Sequence, residues 1–228
     1  MKNSAFAITC AAALYFGFTV AAHCTGGEER LPPLGTSVET VKRVFEVSTV
    51  RPLDSSSFEP LRKFFSVKQQ RKVDEFLRAL NELVAKRNSL ARRAGIDAKW
   101  WWPPNVDTTV HLITKDDPLT SRGDTPDTLE IGQPEENNKN VEITIKEVYK
   151  ASALDGSDLG GAKTSRVMLV PENGRWVIDE VIFTSRQGGR IHTRTLSDIL
   201  RTDAKRLRDV RHQIKDMTTE VRPAIPAR

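Results

Sequence analysis

The stretch RVMLVPENGRWVIDEVIF, residues 166–183, decides the fold. Val167 to Val170 and Trp176 to Phe183 are runs rich in β-branched and aromatic residues. The segment Pro171 to Arg175 between them holds Asn173-Gly174, a pair that tolerates the positive φ angles of a tight hairpin. Two antiparallel strands are expected. Side chains alternate along a strand, so Val177, Asp179 and Val181 share one face and Ile178, Glu180 and Ile182 the other. One of the two carboxylates, Asp179 or Glu180, is therefore expected to point inward.

Upstream of the hairpin the same period recurs. Val141, Ile143 and Ile145 alternate with Glu142, Thr144 and Lys146, which reads as a strand with one wet face. Leu129 to Ile131 and Val110 to Ile113 read as shorter strands. Loops rich in Gly, Asp, Asn and Ser are expected at Arg122 to Thr128, Gly132 to Asn140 and Ala151 to Thr164.

Before the Trp100-Trp101-Trp102-Pro103-Pro104 run the apolar spacing is helical. Thr36 and Glu39 have the form of a capping box ahead of Val38, Val41, Val44 and Phe45, predicting a helix over 37–50 that Arg51-Pro52 ends. Ser66 and Gln69 form a second such box. It opens a longer helix with Val73, Phe76, Leu77, Leu80, Leu83, Val84 and Leu90 along one side and Gly95 as its stop. A last helix from about Thr195 carries Leu196, Ile199, Leu200, Leu207, Val210, Ile214 and Met217, and Pro223 and Pro226 close it.

Helices, then antiparallel strands, then a helix predict an α+β domain with the N-terminal helices packed on a curved sheet. The closing hairpin resembles the last two strands of nuclear transport factor 2-like domains, in which an Asn-Gly-x-Trp-x-Ile turn is common. Asp117-Pro118-Leu119-Thr120-Ser121-Arg122-Gly123-Asp124 and Thr195-Leu196-Ser197-Asp198-Ile199-Leu200 are similar to segments of the bacterial domain of unknown function 3828, and the likeness spans about Val38 to Leu200. It implies an exported bacterial domain with a cone-shaped sheet wrapped on a long helix, and it supplies no catalytic residues. The triple tryptophan and the helix beyond Leu200 depart from the family pattern.

Length and composition fit one domain with appendages: 228 residues, 38% hydrophobic and 29% charged. Lys2 followed by an uncharged run from Asn3 to Ala22 has the form of an export signal, with cleavage expected after Ala22. A retained membrane anchor and lipid modification of Cys24 are the alternatives, and His23 ahead of Cys24 disfavours the second. Residues 23–36 then read as a linker, 37–200 as the α+β domain and 201–228 as a basic helical extension. With Cys10 removed by cleavage, Cys24 has no intramolecular partner.

Chemistry-bearing patterns are sparse. His23, His111, His192 and His212 are never three or four apart, so no local metal pair exists, and no metal or cofactor is expected. The wider fold supports proton transfer by a cavity carboxylate with a tyrosine donor. Here that alternative rests on Tyr149 with Asp179 or Glu180, Glu142 and Glu147 being the other strand carboxylates, and implies an isomerase or hydratase. The three indoles cannot all enter one core, so Trp100, Trp101 and Trp102 are candidate contacts for a ligand or partner, or else a clasp over the long helix.

The net charge of +5 divides unevenly. Residues 62–93 hold 10 basic and 3 acidic side chains, residues 186–228 hold 11 and 5, and residues 103–185 hold 8 and 15. Nucleic acid is excluded as a partner because no aromatics interleave with the basic clusters and no groove-entering module is present. The terminal helix, apolar on one side and bearing Arg206, Arg208 and Arg211 on the other, is the candidate contact for an anionic membrane surface, an acidic protein or a second copy of the chain. The leading expectation is an exported, non-enzymatic domain that binds a protein or small ligand at the open end of its sheet.

Overall fold

A computed structural model describes residues 31–47, 53–97, 102, 118–120, 126–149, 161–187 and 190–216. In chain order they form α1 (Gly35–Val47), α2 (Ser55–Phe58), a 3-10 turn (Arg62–Phe64) and α3 (Val67–Ala94). The strands β1 (Thr128–Ile131), β2 (Glu135–Asn137), β3 (Asn140–Tyr149), β4 (Gly161–Glu172), β5 (Arg175–Gln187) and β6 (Arg190–Thr195) follow, and α4 (Leu196–Asp216) closes the fold. The architecture is α+β, with a six-stranded antiparallel sheet ordered β1-β3-β4-β5-β6 and β2 paired to β3 on the same side as β1. The expected strand at Val110 to Ile113, the export signal, Cys24, His111, Trp100 and Trp101 lie outside the described residues.

The hairpin is tighter than its sequence predicts. Pro171 and Glu172 pair with Trp176 and Arg175, so the loop is two residues long, with Asn173 at φ 52° and Gly174 at φ 71°. Two consecutive left-handed residues match the right-handed twist of the flanking strands, which is why Asn-Gly sits there. β2 and β6 were not expected, and β4 begins at Gly161 inside the expected loop Ala151 to Thr164. At Gly132 the edge strand breaks: its N–H donates to the Thr144 carbonyl at 2.8 Å, and a Cβ there would stand 3.0 Å from that oxygen. A side chain there would press on this backbone oxygen, so glycine favours the close approach.

One irregularity redirects β5. Met168 pairs with Glu180 and Leu169 with Ile178, so Asp179 faces no residue of β4 and forms a bulge. The strict alternation expected from the sequence fails at this point. Ile178 and Val181, three residues apart, are both fully buried on the inner face. Beside the bulge, Phe65 bridges Ile178, and the Ser66 N–H donates to the Ile178 carbonyl at 2.9 Å.

The inner face of the sheet, with Val141, Ile143, Ile145, Val167, Leu169, Ile178 and Val181, packs into a single apolar cluster with α1, α3 and α4. The other face is wet, and its charges pair across strands, as in Arg166 to Glu142 at 3.3 Å and Lys146 to Glu130 at 3.4 Å. α1 starts at Gly35, two residues earlier than expected. Thr36 lies inside its first turn and donates Oγ1 to the Pro33 carbonyl at 2.7 Å, so it is not the cap. Ser66 does cap α3, accepting from Gln69 N, and Gly95 ends that helix at φ 70°. Trp176 is buried and donates Nε1 to the carbonyls of Pro32 and Pro33 at 3.1 and 3.2 Å. Trp176→Phe keeps an aromatic ring but deletes this tie to the segment before α1 together with the five-membered ring of the indole. It is expected to cost about 2–4 kcal/mol in urea denaturation, from a buried hydrogen bond with its acceptors stranded and the cavity left beside the smaller ring. A change within measurement error would show that water replaces it.

α4 continues unbroken across residue 200, the expected boundary between domain and extension. Leu196, Leu200, Ala204, Leu207, Val210 and Ile214 recur at three- and four-residue spacing and are buried against α3. The two helices run in the same direction, for Lys72 meets Ser197, Glu75 meets Arg208 and Glu82 meets Arg211 in ascending order.

Candidate functional site

The N-termini of α3 and α4 converge on the bulge of β5, which brings Asp179 and Glu180 among polar partners. Asp179 accepts from Ser66 Oγ at 2.8 Å and from Lys68 Nζ at 2.7 Å. The hydrogen bond to Asp179 is the main reason the Lys68 ammonium is held above its ordinary pKa. Glu180 accepts from Ser197 N and Val181 N, each at 3.1 Å, from Gln69 Nε2 at 3.4 Å, and from Ser197 Oγ. β6 pairs with β5 only from Ile182 onward. Glu180 thus fills the gap in the strand edge between the Ile178 bridge and the start of β6. A carboxylate at a helix N-terminus also meets the positive end of the helix dipole and the N–H groups that no helical carbonyl reaches. Thr195 completes this cap of α4, its Oγ1 accepting from Asp198 N at 3.1 Å.

Tyr149 lies at the other end of the sheet. Glu180 shares a cross-strand row with Met168 and Glu142, and Tyr149 is seven residues further along β3. At roughly 3.3 Å per residue, that is a separation of about 23 Å along the strand. The expected grouping of Tyr149 with Asp179 or Glu180 is therefore not formed. Tyr149 instead donates its hydroxyl to Glu147 Oε2 at 3.0 Å, and Lys163 Nζ stands 5.1 Å from the centre of its ring.

Glu147 is 1% exposed, a carboxylate on the face that carries Val141, Ile143 and Ile145. Ser165, buried at 3%, pairs with Ile145 in the neighbouring row, so the inner face turns from apolar to polar toward this end. The alternation of β3 carries the signal for Glu147: extending Val141, Ile143, Ile145 by two residues reaches it. The capping box marks Ser66 as the start of α3, but nothing local in the sequence marks its bond to Asp179 or the bond of Ser197 to Glu180, which depend on segments brought from far along the chain.

Of the three tryptophans, Trp102 is half-buried against the core, with the Arg87 guanidinium 4.8 Å from its ring centre. Burial holds the Arg87 pKa below its usual value. This contact rests the Trp102 indole against α3. On α4, Arg208 pairs with Glu75 at 2.8 Å and Arg211 pairs with Glu82, so both reach across to α3, while Arg206 is exposed. Among the described residues, no three His, Cys, Asp or Glu side chains are placed to hold a metal ion, and no helix is long and apolar enough to cross a membrane. Comparisons of the chain with protein-family models, with curated proteins and with solved structures return no match.

Proposed function

We propose that the chain is an exported, non-enzymatic binding domain of the bacterial cell envelope, with a nuclear transport factor 2-like roll that takes a small ligand or a protein segment at the Tyr149 end of its sheet. The observation that carries this reading is the buried Glu147, hydrogen-bonded to Tyr149 where the inner face turns from apolar to polar. A desolvated carboxylate held on such a face is costly, and sites that bind small molecules combine apolar walls with a few placed polar groups. Asp179 and Glu180, by contrast, have their oxygens engaged in holding two helix starts. The Glu147 and Tyr149 pair also favours a second reading, an isomerase- or hydratase-type enzyme in which Glu147 takes the place first given to Asp179 or Glu180.

Native mass spectrometry on protein recovered from the envelope fraction of its own host tests the proposal. The expected result is a chain beginning at His23 that carries a bound mass, absent from Glu147→Gln and Tyr149→Phe proteins that melt normally. A chain still beginning at Met1 overturns cleavage after Ala22. A bound mass retained in both variants, or never present, overturns the site. Turnover of the bound molecule by the wild type alone would select the enzyme.

A further inference from the structure

We propose that the groove between the second halves of α3 and α4 binds a phosphate-bearing anion that carries an organic arm. This open groove is lined by Glu82, Ala85, Lys86, Ser89, Arg211 and His212 and offers about 570 Å³. Positions 82, 85, 86 and 89 form one stripe along α3 at three- and four-residue spacing, and Arg211 and His212 face it from the parallel α4. All of the polar side chains but Glu82 can donate. Lys86 brings three ammonium hydrogens, Ser89 a hydroxyl and His212 a ring N–H. Glu82 is the single acid, and it is bonded to Arg211. Arg211 commits one guanidinium nitrogen to that bond, and a guanidinium offers five N–H donors, so the pair both fixes the fork and leaves hydrogens for a guest.

Such a donor set calls for an anion rich in acceptor oxygens. Phosphate, with three of them and close to two negative charges as a monoester, matches it better than a carboxylate does. The volume lies in the range of small-molecule sites and far exceeds what a bare ion needs. The methylene stems of Lys86 and Arg211, together with Ala85, supply an apolar lining for the rest of the molecule. Cations gather at helix C-termini for dipole reasons alone, but that influence fades within the last turn. Lys86 is eight residues before the end of α3 at Ala94, and Arg211 is five before the end of α4 at Asp216, so the dipole does not account for them.

Two sources supply this chemistry, a phospholipid headgroup and a soluble phosphate ester. The full chain is titrated with inorganic phosphate, with monomeric dihexanoyl phosphatidate and with phosphatidylcholine vesicles that contain or lack long-chain phosphatidate, following heat and the ring-proton shifts of His212. Dihexanoyl phosphatidate is expected to bind at least tenfold tighter than inorganic phosphate and to shift His212. Lys86→Glu is expected to weaken it at least tenfold, and Lys42→Glu, an equal charge change on α1, by less than twofold. Lys86→Gln serves as the second variant, removing the charge without reversing it. Sedimentation with the phosphatidate-containing but not the pure phosphatidylcholine vesicles identifies the lipid source. Binding of the soluble phosphatidate without sedimentation identifies the ester. Absence of binding by every probe, an unmoved His212, or equal losses in Lys42→Glu and Lys86→Glu overturns the site.

Discussion

Deleting residues 201–228 is expected to abolish cooperative unfolding of the protein. The deletion removes Ala204, Leu207, Val210 and Ile214, all buried, and bares the side of α3 on which they rest. A single Leu→Ala change in such a position costs about 2–5 kcal/mol, and whole domains of this size are stable by only about 5–15 kcal/mol. Losing three large side chains together exceeds that margin. Circular dichroism during thermal and urea denaturation checks the outcome, with Leu207→Ala as the graded version, expected to lose about 3 kcal/mol. A truncated chain that melts cooperatively within a few degrees of the intact one would restore the reading of 201–228 as an appended helix.

The second large effect is expected at Glu180. Glu180→Ala strands the backbone N–H groups of Val181 and Ser197, both of which donate to the lost carboxylate, and leaves Gln69 without that acceptor. Stranded donors at a half-buried site cost about 1–3 kcal/mol each at most, so a total loss of about 3 kcal/mol is expected. Glu180→Gln keeps an acceptor oxygen and is expected to lose about half as much. Asp179→Ala is expected to lose only about 1 kcal/mol, because its partner Lys68 is 59% exposed and exposed ion pairs contribute little. Urea denaturation of the three variants ranks them. Residues kept for function commonly sit at a cost to stability, so a gain in stability for Glu180→Ala would reverse the assignment of this side chain to holding the helices.

The elements readable from the chain are those whose signals are local. The Asn173-Gly174 turn, the stripe from Val73 to Leu90 and the stripe from Leu196 to Ile214 each repeat a pattern within a few residues, and each is present. β6 reads RIHTRT and β2 reads EEN; both are exposed edge strands with no inward apolar set, so composition gave them no contrast with a loop. The bulge at Asp179 is invisible for another reason. It depends on Ser66, 113 residues earlier, docking beside β5, and no window around residue 179 contains that information. The same holds for the candidate site. The face of Glu147 follows from the alternation of β3, whereas the separation of Tyr149 from Glu180 follows only from how far each lies along its strand.

The parallel pairing of α3 with α4 also sets an order of events. Lys72 and Ser197 meet across 125 residues, with every strand of the sheet between them. At roughly 5–20 residues synthesised per second, the α4-facing side of α3 is complete on the order of ten seconds before its cover exists. During that interval Val73, Phe76, Leu77 and Leu80 belong to a chain that cannot yet bury all of them, which is the state from which partly made proteins aggregate. Soluble yield is therefore governed by how this early helix is shielded until the end of the chain arrives.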